Sequence, residues 1–314
     1  MGKFKGFLLA ALAAAAYGTN PAFAIPLYDM GMNPNSVLLF RYVLGIPFLA
    51  LLMGIRKINF SLPKNGILPV FILGVLMAVS SLTLFDSYNY MNSGVASTLL
   101  FVYPVLVAVI MTVCFRERIK VSLILCFIFM GAGLILLMKP EGNQGLSGYG
   151  FILVMISALT YAIYIVLVNS SKILSTIPTT KLLFYVLIFG SSVFLLKIAV
   201  GETLTLPSKS TGWYSLIALA LIPTVLSLAC TSAAIHIIGS TPTAIFGALE
   251  PVTAVVLSVV FLGQQITESE IIGGLLIIVA TTVVVGSHYI DKFILHVRKL
   301  FPKKSSDSSS QHNE

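Results

Sequence analysis

Residues 94–119, GVASTLLFVYPVLVAVIMTVCFRERI, and residues 241–266, TPTAIFGALEPVTAVVLSVVFLGQQI, are two versions of one segment, 147 positions apart. Both lie inside long apolar runs. They align at their centres, where Tyr103-Pro104 in the first copy corresponds to Glu250-Pro251 in the second. The chain therefore contains a duplicated apolar unit with a carboxylate near the middle of only one copy.

The amino-acid composition places the chain in a lipid bilayer. Hydrophobic residues make up 57% of its 314 residues, charged residues only 10%, and the mean hydropathy is +1.00. A spanning helix needs about 20 mostly apolar residues, so the length allows roughly ten spans with short connections. The apolar runs predict an all-α membrane protein with ten transmembrane helices, near 4–25, 34–54, 67–88, 94–115, 121–138, 150–169, 180–199, 213–235, 241–262 and 269–287.

The first half of the chain is repeated in the second half. Tyr17 aligns with Tyr161 at a spacing of 144, and Pro34 aligns with Pro178. Because each repeat would contain five spans, an odd number, the second repeat must enter the membrane from the opposite side. Inverted repeats are an architecture of transporters, in which a site between the halves can face either side in turn.

These features predict the domain organisation. We expect a first five-helix repeat in residues 1–140, a second inverted five-helix repeat in residues 141–290, and a central cavity between them. The polar stretch after Lys292 predicts a disordered cytoplasmic tail over residues 291–314. The basic start and Ala22-Phe23-Ala24 imitate a cleavable secretory signal, but the first helix has a counterpart in the second repeat, so we expect it to be retained.

Basic residues are distributed unequally between the two sets of connections. Fifteen of the nineteen Lys and Arg residues fall on the side of the amino terminus, Arg41 lies inside a span, and the other side receives only Lys139, Lys197 and Lys209. The positive-inside rule then predicts a multi-pass protein of the cytoplasmic (inner) membrane with both termini in the cytoplasm. The net charge of +8 is thus a topology signal, and without a basic face we expect no nucleic-acid partner.

Several short motifs, taken in order, resemble the EamA-type transporters of the drug/metabolite transporter superfamily. They are Tyr17-Gly18-Thr19-Asn20, Phe40-Arg41-Tyr42, Tyr103-Pro104-Val105 followed by Phe115-Arg116-Glu117, and Glu250-Pro251-Val252 followed by Leu262-Gly263-Gln264. The resemblance covers nearly the whole chain, with one departure, because the family often has Glu where this chain has Gln264. It implies a secondary transporter of small metabolites, often an exporter of amino acids or related compounds.

Glu250 is the leading candidate for a functional residue. It lies near mid-depth in the ninth span, where a charged group is costly and should face protein or water. Desolvation disfavours the charged form of such a group. Glu250 could bind a substrate ammonium group, carry a coupling proton, or stay protonated and donate a structural hydrogen bond. Pro251, and Pro104 beside Tyr103, are each expected to kink a helix, either freeing carbonyl groups toward a cavity or simply shaping the packing.

Further candidates for a cavity lining recur in both repeats. Tyr17 and Asn20 lie three positions apart on one face of the first helix, and the equivalent positions in the sixth carry Tyr161 and Tyr164. An aromatic and amide wall suits a neutral or zwitterionic solute with apolar parts. The alternative is that these groups form hydrogen bonds between helices.

Arg41 has two interpretations. It either pairs with Asp86 or extends to the membrane interface, or it anchors an anion or a carboxylate. A carrier of phosphate esters would be expected to converge several cations on its substrate. Arg41 is the only basic residue inside an expected span, which argues against sugar-phosphate exchange.

The residue pattern does not favour an enzyme or a cofactor site. The chain shows no nucleophile with a base, no paired carboxylates and no phosphate-binding glycine loop, so we expect no cofactor and no ATP-driven step. Cys114, Cys126 and Cys230 are dispersed without metal-ligand spacing, so we expect no metal site. Glycines such as Gly131, Gly133, Gly273 and Gly274 are expected to permit close helix packing in a monomer or homodimer.

The predicted function is secondary active transport of a small metabolite, with efflux of an amino acid or related compound as the expected activity. Proton coupling is one option for the driving force. Uniport or exchange of another small solute would use much the same architecture and stays open, and a membrane channel or a scaffold is a further alternative. The expected partners are the lipid bilayer, the small-molecule substrate and protons.

Overall fold

The computed structural model describes residues 2–115, 121–137, 147–238, 243 and 246–285. The helices of these residues are α1 (Gly2–Gly18), α2 (Asn20–Asp29), α3 (Pro34–Ile55), α4 (Ile67–Ser87), α5 (Ser93–Leu100), α6 (Tyr103–Phe115), α7 (Val121–Leu137), α8 (Gly148–Ser170), α9 (Thr179–Ala199), α10 (Ser210–Ala220), α11 (Ser227–Ile238), α12 (Leu249–Val260) and α13 (Glu268–Val285). A π-helical segment, Leu221–Leu226, joins α10 to α11, and two short 3-10 turns lie at Lys64–Gly66 and Leu174–Thr176.

Across these described residues the helices group into ten successive segments, each overlapping one of the expected spans. The pair α1 and α2 forms the first segment, α5 and α6 form the fourth, and α10 and α11 form the eighth. Seven described segments are long and apolar enough to cross a membrane, and α12 is a shorter apolar helix. The protein is an all-α multi-pass membrane protein, as the sequence predicts. The predicted tail, residues 291–314, lies outside the described residues.

Polar caps fix where several spans begin. The Asn33 side chain accepts a hydrogen bond from the backbone N–H of Ser36 at 2.8 Å, with Pro34 as the first helical residue of α3. The Asn92 side chain does the same for Gly94 at the start of α5, at 2.9 Å. Such caps satisfy backbone donors that a helix cannot pair internally, so each of these spans starts at a defined residue.

The two repeats pack with a pseudo-two-fold relation. Three spans contact their own counterparts in the other repeat: the second meets the seventh through α3 and α9, the fourth meets the ninth through α5 and α12, and the fifth meets the tenth through α7 and α13. Two further large interfaces are equivalent to each other, because α4 packs on α8 as α1 packs on α11. Since five spans per repeat turn the second copy over, this is the inverted arrangement that the duplication predicts.

Small residues join α4 to the second repeat. A Cβ atom added at Gly74 would lie 2.9 Å from the backbone nitrogen of Gly190, so the backbones of α4 and α9 are in contact. Ser80 of α4 and Ser157 of α8 each donate a hydroxyl hydrogen bond to the other's carbonyl oxygen, at 3.0 Å and 2.7 Å. Close packing and interhelical hydrogen bonds hold helices together in lipid, where the hydrophobic effect does not.

Glycines also permit close packing of α7 against α13. Not all of the glycines expected to do this take part. A Cβ atom at Gly133 would lie 2.7 Å from the carbonyl oxygen of Gly273, and one at Gly274 would lie 3.3 Å from a methyl group of Thr98. A Cβ atom at Gly131 would meet nothing within 4 Å. Gly131 faces open space, so it does not contribute to this crossing.

This difference predicts opposite outcomes for two substitutions on one helix. We expect Gly133→Ala to lower the apparent melting temperature of the purified protein, because an added methyl group must push α13 away, an overpacking cost of about 1–3 kcal/mol. Gly131→Ala gives the same gain in helix propensity without the clash, so it should be neutral or slightly stabilising. Thermal unfolding of both variants in detergent measures this, and equal melting temperatures would contradict the proposed crossing.

Candidate functional site: a cavity between the repeats

A cavity of about 420 Å³ lies between the two repeats. This volume falls in the range of small-molecule sites. The polar lining residues are Tyr17, Arg41, Tyr42, Ser81, Tyr103, Tyr161, Tyr164, Thr224, Ser227, Thr231, Thr243 and Glu250. The remaining described lining is alanine, glycine, proline and aliphatic side chains, so Arg41 and Glu250 are its only charged residues.

Four of the spans that line the cavity interrupt their regular helices. The first breaks at Thr19, between α1 and α2, and the fourth breaks at residues 101–102, between α5 and α6. The eighth passes through the π-helical segment Leu221–Leu226, and a turn at residues 247–248 precedes α12 in the ninth. Because irregular backbone at membrane depth must be satisfied by protein or water, these interruptions belong beside a cavity.

Both prolines of the duplicated unit lie just inside a new helix. Pro104 is the second residue of α6, and Pro251 is the third residue of α12. Each proline therefore closely follows a turn between two helical segments. This place suits a proline, because in the first helical turn it removes an N–H group that has no partner there in any case.

Glu250 lies in the first turn of α12 and lines the cavity. Its backbone N–H donates to the carbonyl oxygen of Gly247 at 2.9 Å. The positive end of the helix dipole favours a carboxylate at this place. A Cβ atom at Gly18 would lie 2.5 Å from the carbonyl oxygen of Glu250, so α1 packs directly against the start of α12.

Tyrosines form a wall of the same cavity. The rings of Tyr103 and Tyr161 meet edge to face with centroids 4.7 Å apart, and Tyr161 and Tyr164 are stacked at 6.0 Å. Tyr17 reaches the cavity from α1. The structure thus brings together the four tyrosines that the sequence singled out. Their ring faces offer a surface that attracts cations and apolar groups alike.

Arg41 is turned into the protein. Its side chain is only 5% exposed, its Nε donates to Oγ1 of Thr224 at 3.0 Å, and its guanidinium carbon lies 5.5 Å from the centre of the Phe85 ring. It does not pair with Asp86, whose carboxylate accepts a hydrogen bond from Nδ2 of Asn89 at 3.4 Å. The interpretation in which Arg41 pairs with Asp86 or extends to the interface therefore does not describe this structure.

Asn20 is not part of the cavity lining, unlike the expectation. It is 3% exposed, and its Nδ2 donates to the backbone carbonyl oxygen of Tyr17 at 2.8 Å. The break at Thr19 explains the difference, because it ends the continuous helix in which a spacing of three would place Tyr17 and Asn20 on one face. Asn20 instead supports the junction between α1 and α2.

The hydroxyl groups of the eighth span were not among the predicted candidates. Thr224, Ser227 and Thr231 all line the cavity. Thr224 accepts from Arg41 and donates to the carbonyl oxygen of Leu219 at 3.3 Å, so its hydroxyl is held in one orientation. A proline in the middle of an apolar span, Pro223, is the feature of the sequence that could have indicated this region.

Contacts between the ends of several helices lie outside the cavity lining. Where α2 ends and α3 begins, Oη of Tyr28 donates to the carbonyl oxygen of Phe85 at 3.0 Å, and the ring of Phe40 packs edge-on against Trp213 at 5.5 Å. None of these four residues lines the cavity. On α1 the lining runs from Ala10 to Tyr17, and on α11 it runs from Ser227 to Ile235.

The sequence model of the EamA-like transporter family matches residues 4–139 and 148–286. This chain belongs to that family. The EamA-like family is a family of membrane transporters, and each of the two matches covers one repeat. A solved structure described as "Crystal structure of protein" is 17% identical and has a TM-score of 0.63, with 94% of this chain and 98% of that chain covered, which shows the fold alone. Comparison with curated proteins found no match.

The position of the cavity predicts which residues of α11 meet water. In a variant without native cysteines, we expect Thr231→Cys to react with a membrane-impermeant maleimide, because Thr231 lines the cavity. Ala234→Cys is the control, since Ala234 lies on the same helix and is fully buried outside the lining. Mass spectrometry of the labelled protein measures the two rates, and equal modification of both positions would be inconsistent with the cavity described.

Proposed function

We propose that the protein is a secondary active transporter that exports an amino acid or a related small metabolite across the cytoplasmic (inner) membrane by alternating access. The observation that carries this proposal is a cavity between the two repeats whose described lining includes the carboxylate of Glu250. Membership of the EamA-like transporter family supports the coarser part, transport of a small solute.

The cavity supports alternating access because of where it lies. It is bounded by helices of both repeats, and the two repeats are similar units in opposite orientations. Movement of one repeat against the other can expose the site to either side of the membrane in turn while the site stays near the middle. A scaffold has no need for such a cavity, and a channel would need both ends open at once.

The orientation of the chain in the membrane determines the proposed direction of transport. With both termini in the cytoplasm, the contacts of Tyr28 and Trp213 lie toward the outer side, and the proposal is that they close the cavity on that side. A cytoplasmic solute could then enter the site from the other side, which suits an exporter. In this proposal residues 1–140 and 141–290 are the moving repeats, and residues 291–314 form a cytoplasmic tail.

Glu250 is assigned the central role in this mechanism. As a carboxylate it can bind the ammonium group of a substrate, and in exchange for that cation it can hold a proton. Both roles require a group that ionises, and neither can be performed by an amide. The equivalent residue of the first repeat, Tyr103, does not ionise under the same conditions, so only one repeat supplies the ionisable group.

A pair of variants tests this role. In liposomes that contain the purified protein, we expect saturable uptake of radiolabelled amino acids with apolar side chains, at a rate that a proton gradient changes. Glu250→Gln should reduce the rate on the order of tenfold or more, because it removes a charge-assisted interaction. Glu268→Gln is the control, since Glu268 is exposed and outside the cavity lining.

The outcomes separate the alternatives. Wild-type uptake that does not saturate would indicate a channel, and no uptake of any small solute would indicate a scaffold. If Glu250→Gln folds normally and keeps the wild-type rate and response to the gradient, the role given to Glu250 is incorrect.

The proposed orientation has its own test. Residues 116–120 lie outside the described residues, and the distribution of basic side chains predicts that they face the cytoplasm. We expect Lys120→Cys, in a variant without native cysteines, to react with an impermeant maleimide in inverted membrane vesicles and not in intact cells. Labelling in intact cells would reverse the proposed topology.

A further inference from the structure

We infer that Arg41, positioned by Thr224, binds the carboxylate group of the transported molecule, and that the cavity is built for a zwitterion whose ammonium group lies toward Glu250. This inference rests on the proposed function and makes its substrate class more specific. It assigns to Arg41 a role in specificity, and to Thr224 a positioning role.

Arg41 has hydrogen-bond donors to spare. A guanidinium group carries five N–H donors and no acceptor. One of these donors, on Nε, is used by Thr224 at 3.0 Å. The Tyr17 hydroxyl is the next nearby polar group, and even if it accepts one more hydrogen bond, three donors remain. Because Arg41 is buried and lines the cavity, these donors are available to a ligand and to few other groups.

The surroundings of Arg41 fix its orientation. Thr224 holds the Nε edge, and the ring of Phe85 lies 5.5 Å from the guanidinium carbon on one side. A guanidinium held in this way presents its terminal N–H pair as a fork, which matches the two oxygens of a carboxylate. Lysine would supply the charge but not this geometry.

The cavity contains one positive and one negative residue that do not neutralise each other. Arg41 and Glu250 are the only charged residues of the described lining, and no ion pair joins them in that part of the chain. Both line the same cavity, so both belong to one site. A buried charge without a counter-ion costs free energy. A single molecule with a carboxylate and an ammonium group compensates both charges at once, whereas an anion or a cation compensates only one.

The remaining lining suits the rest of such a molecule. The tyrosine wall beside Glu250 stabilises an ammonium group through its ring faces. Aliphatic side chains, among them Leu183, Leu187 and Leu228, lie on other sides of the cavity. They offer an apolar surface for the side chain of the ligand, so an α-amino acid with an apolar side chain fits the charges and the walls together.

The test combines changes in the ligand with changes in the protein. Calorimetry on the purified protein measures the binding of three ligands. They are L-leucine, L-leucinamide, which lacks the carboxylate, and 4-methylpentanoate, which lacks the ammonium group. The wild type should bind L-leucine at least tenfold more tightly than either analogue. Arg41→Gln should weaken binding of L-leucine by about tenfold or more and leave that of L-leucinamide nearly unchanged. Glu250→Gln should weaken binding of L-leucine and leave binding of 4-methylpentanoate unaffected.

Two further variants separate a role in binding from a role in folding. Arg41→Lys keeps the charge and should recover only part of the affinity, and Thr224→Val should weaken L-leucine selectively because the guanidinium loses its anchor. Arg56→Gln is the matched control, since Arg56 follows the last residue of the same helix and donates to Oγ1 of Thr180 at 3.4 Å, but is exposed and outside the cavity lining. It should bind all three ligands as the wild type does.

The possible failures are distinguishable. If the wild type binds L-leucinamide as tightly as L-leucine, or if Arg41→Gln weakens both equally, the carboxylate assignment is overturned while transport itself can still be measured in liposomes. If the wild type binds none of the three and carries no amino acid in liposomes, the proposed function fails together with this inference. Should Arg41→Gln not fold, the selectivity of Thr224→Val decides the assignment.

Discussion

In a bilayer every backbone polar group must find a hydrogen-bond partner, and this constraint determines the structure of this protein more than any single contact does. An unsatisfied N–H or C=O group in hydrocarbon costs several kcal/mol. Nevertheless, four spans interrupt their helices, at Thr19, at residues 101–102, along Leu221–Leu226 and at residues 247–248. Such interruptions are stable only next to other protein groups or water, and they converge on one cavity. Helices of the duplicated apolar unit thus border a cavity with polar and charged lining residues inside an apolar bundle.

The apolar surroundings also constrain the two charged residues of the cavity, Arg41 and Glu250. A buried arginine and a buried carboxylate would normally pair, because the lipid offers neither of them a counter-ion. In this structure Arg41 is held by Thr224 and the face of Phe85, and Glu250 is supported by the first turn of α12. These neutral partners keep each charge in place without cancelling it. The site retains electrostatic attraction for a ligand, which a direct ion pair would have removed.

Much of this organisation could be read from the sequence, because its periods are long and its signals are redundant. The ten spans follow from hydropathy alone, and the two halves follow from residue pairs such as Tyr17 with Tyr161 and Pro34 with Pro178. The carboxylate at Glu250 stands out because charge is rare in an apolar run. Local geometry was harder to predict. A break at Thr19 removes Asn20 from the lining, and a π-helical segment brings Thr224 to Arg41. Neither feature changes the hydropathy pattern, so hydropathy does not reveal the break at Thr19 or the π-helical segment.

The exchange of Tyr103 for Glu250 between otherwise similar repeats has an energetic consequence. If the two repeats were identical, the conformation open to one side would be the mirror equivalent of the conformation open to the other, and the two would have equal free energy. A carboxylate in only one repeat removes that degeneracy, because it is solvated differently in the two conformations. In the proposed mechanism, this exchange is one of the differences between the repeats that would favour one resting side in the empty protein.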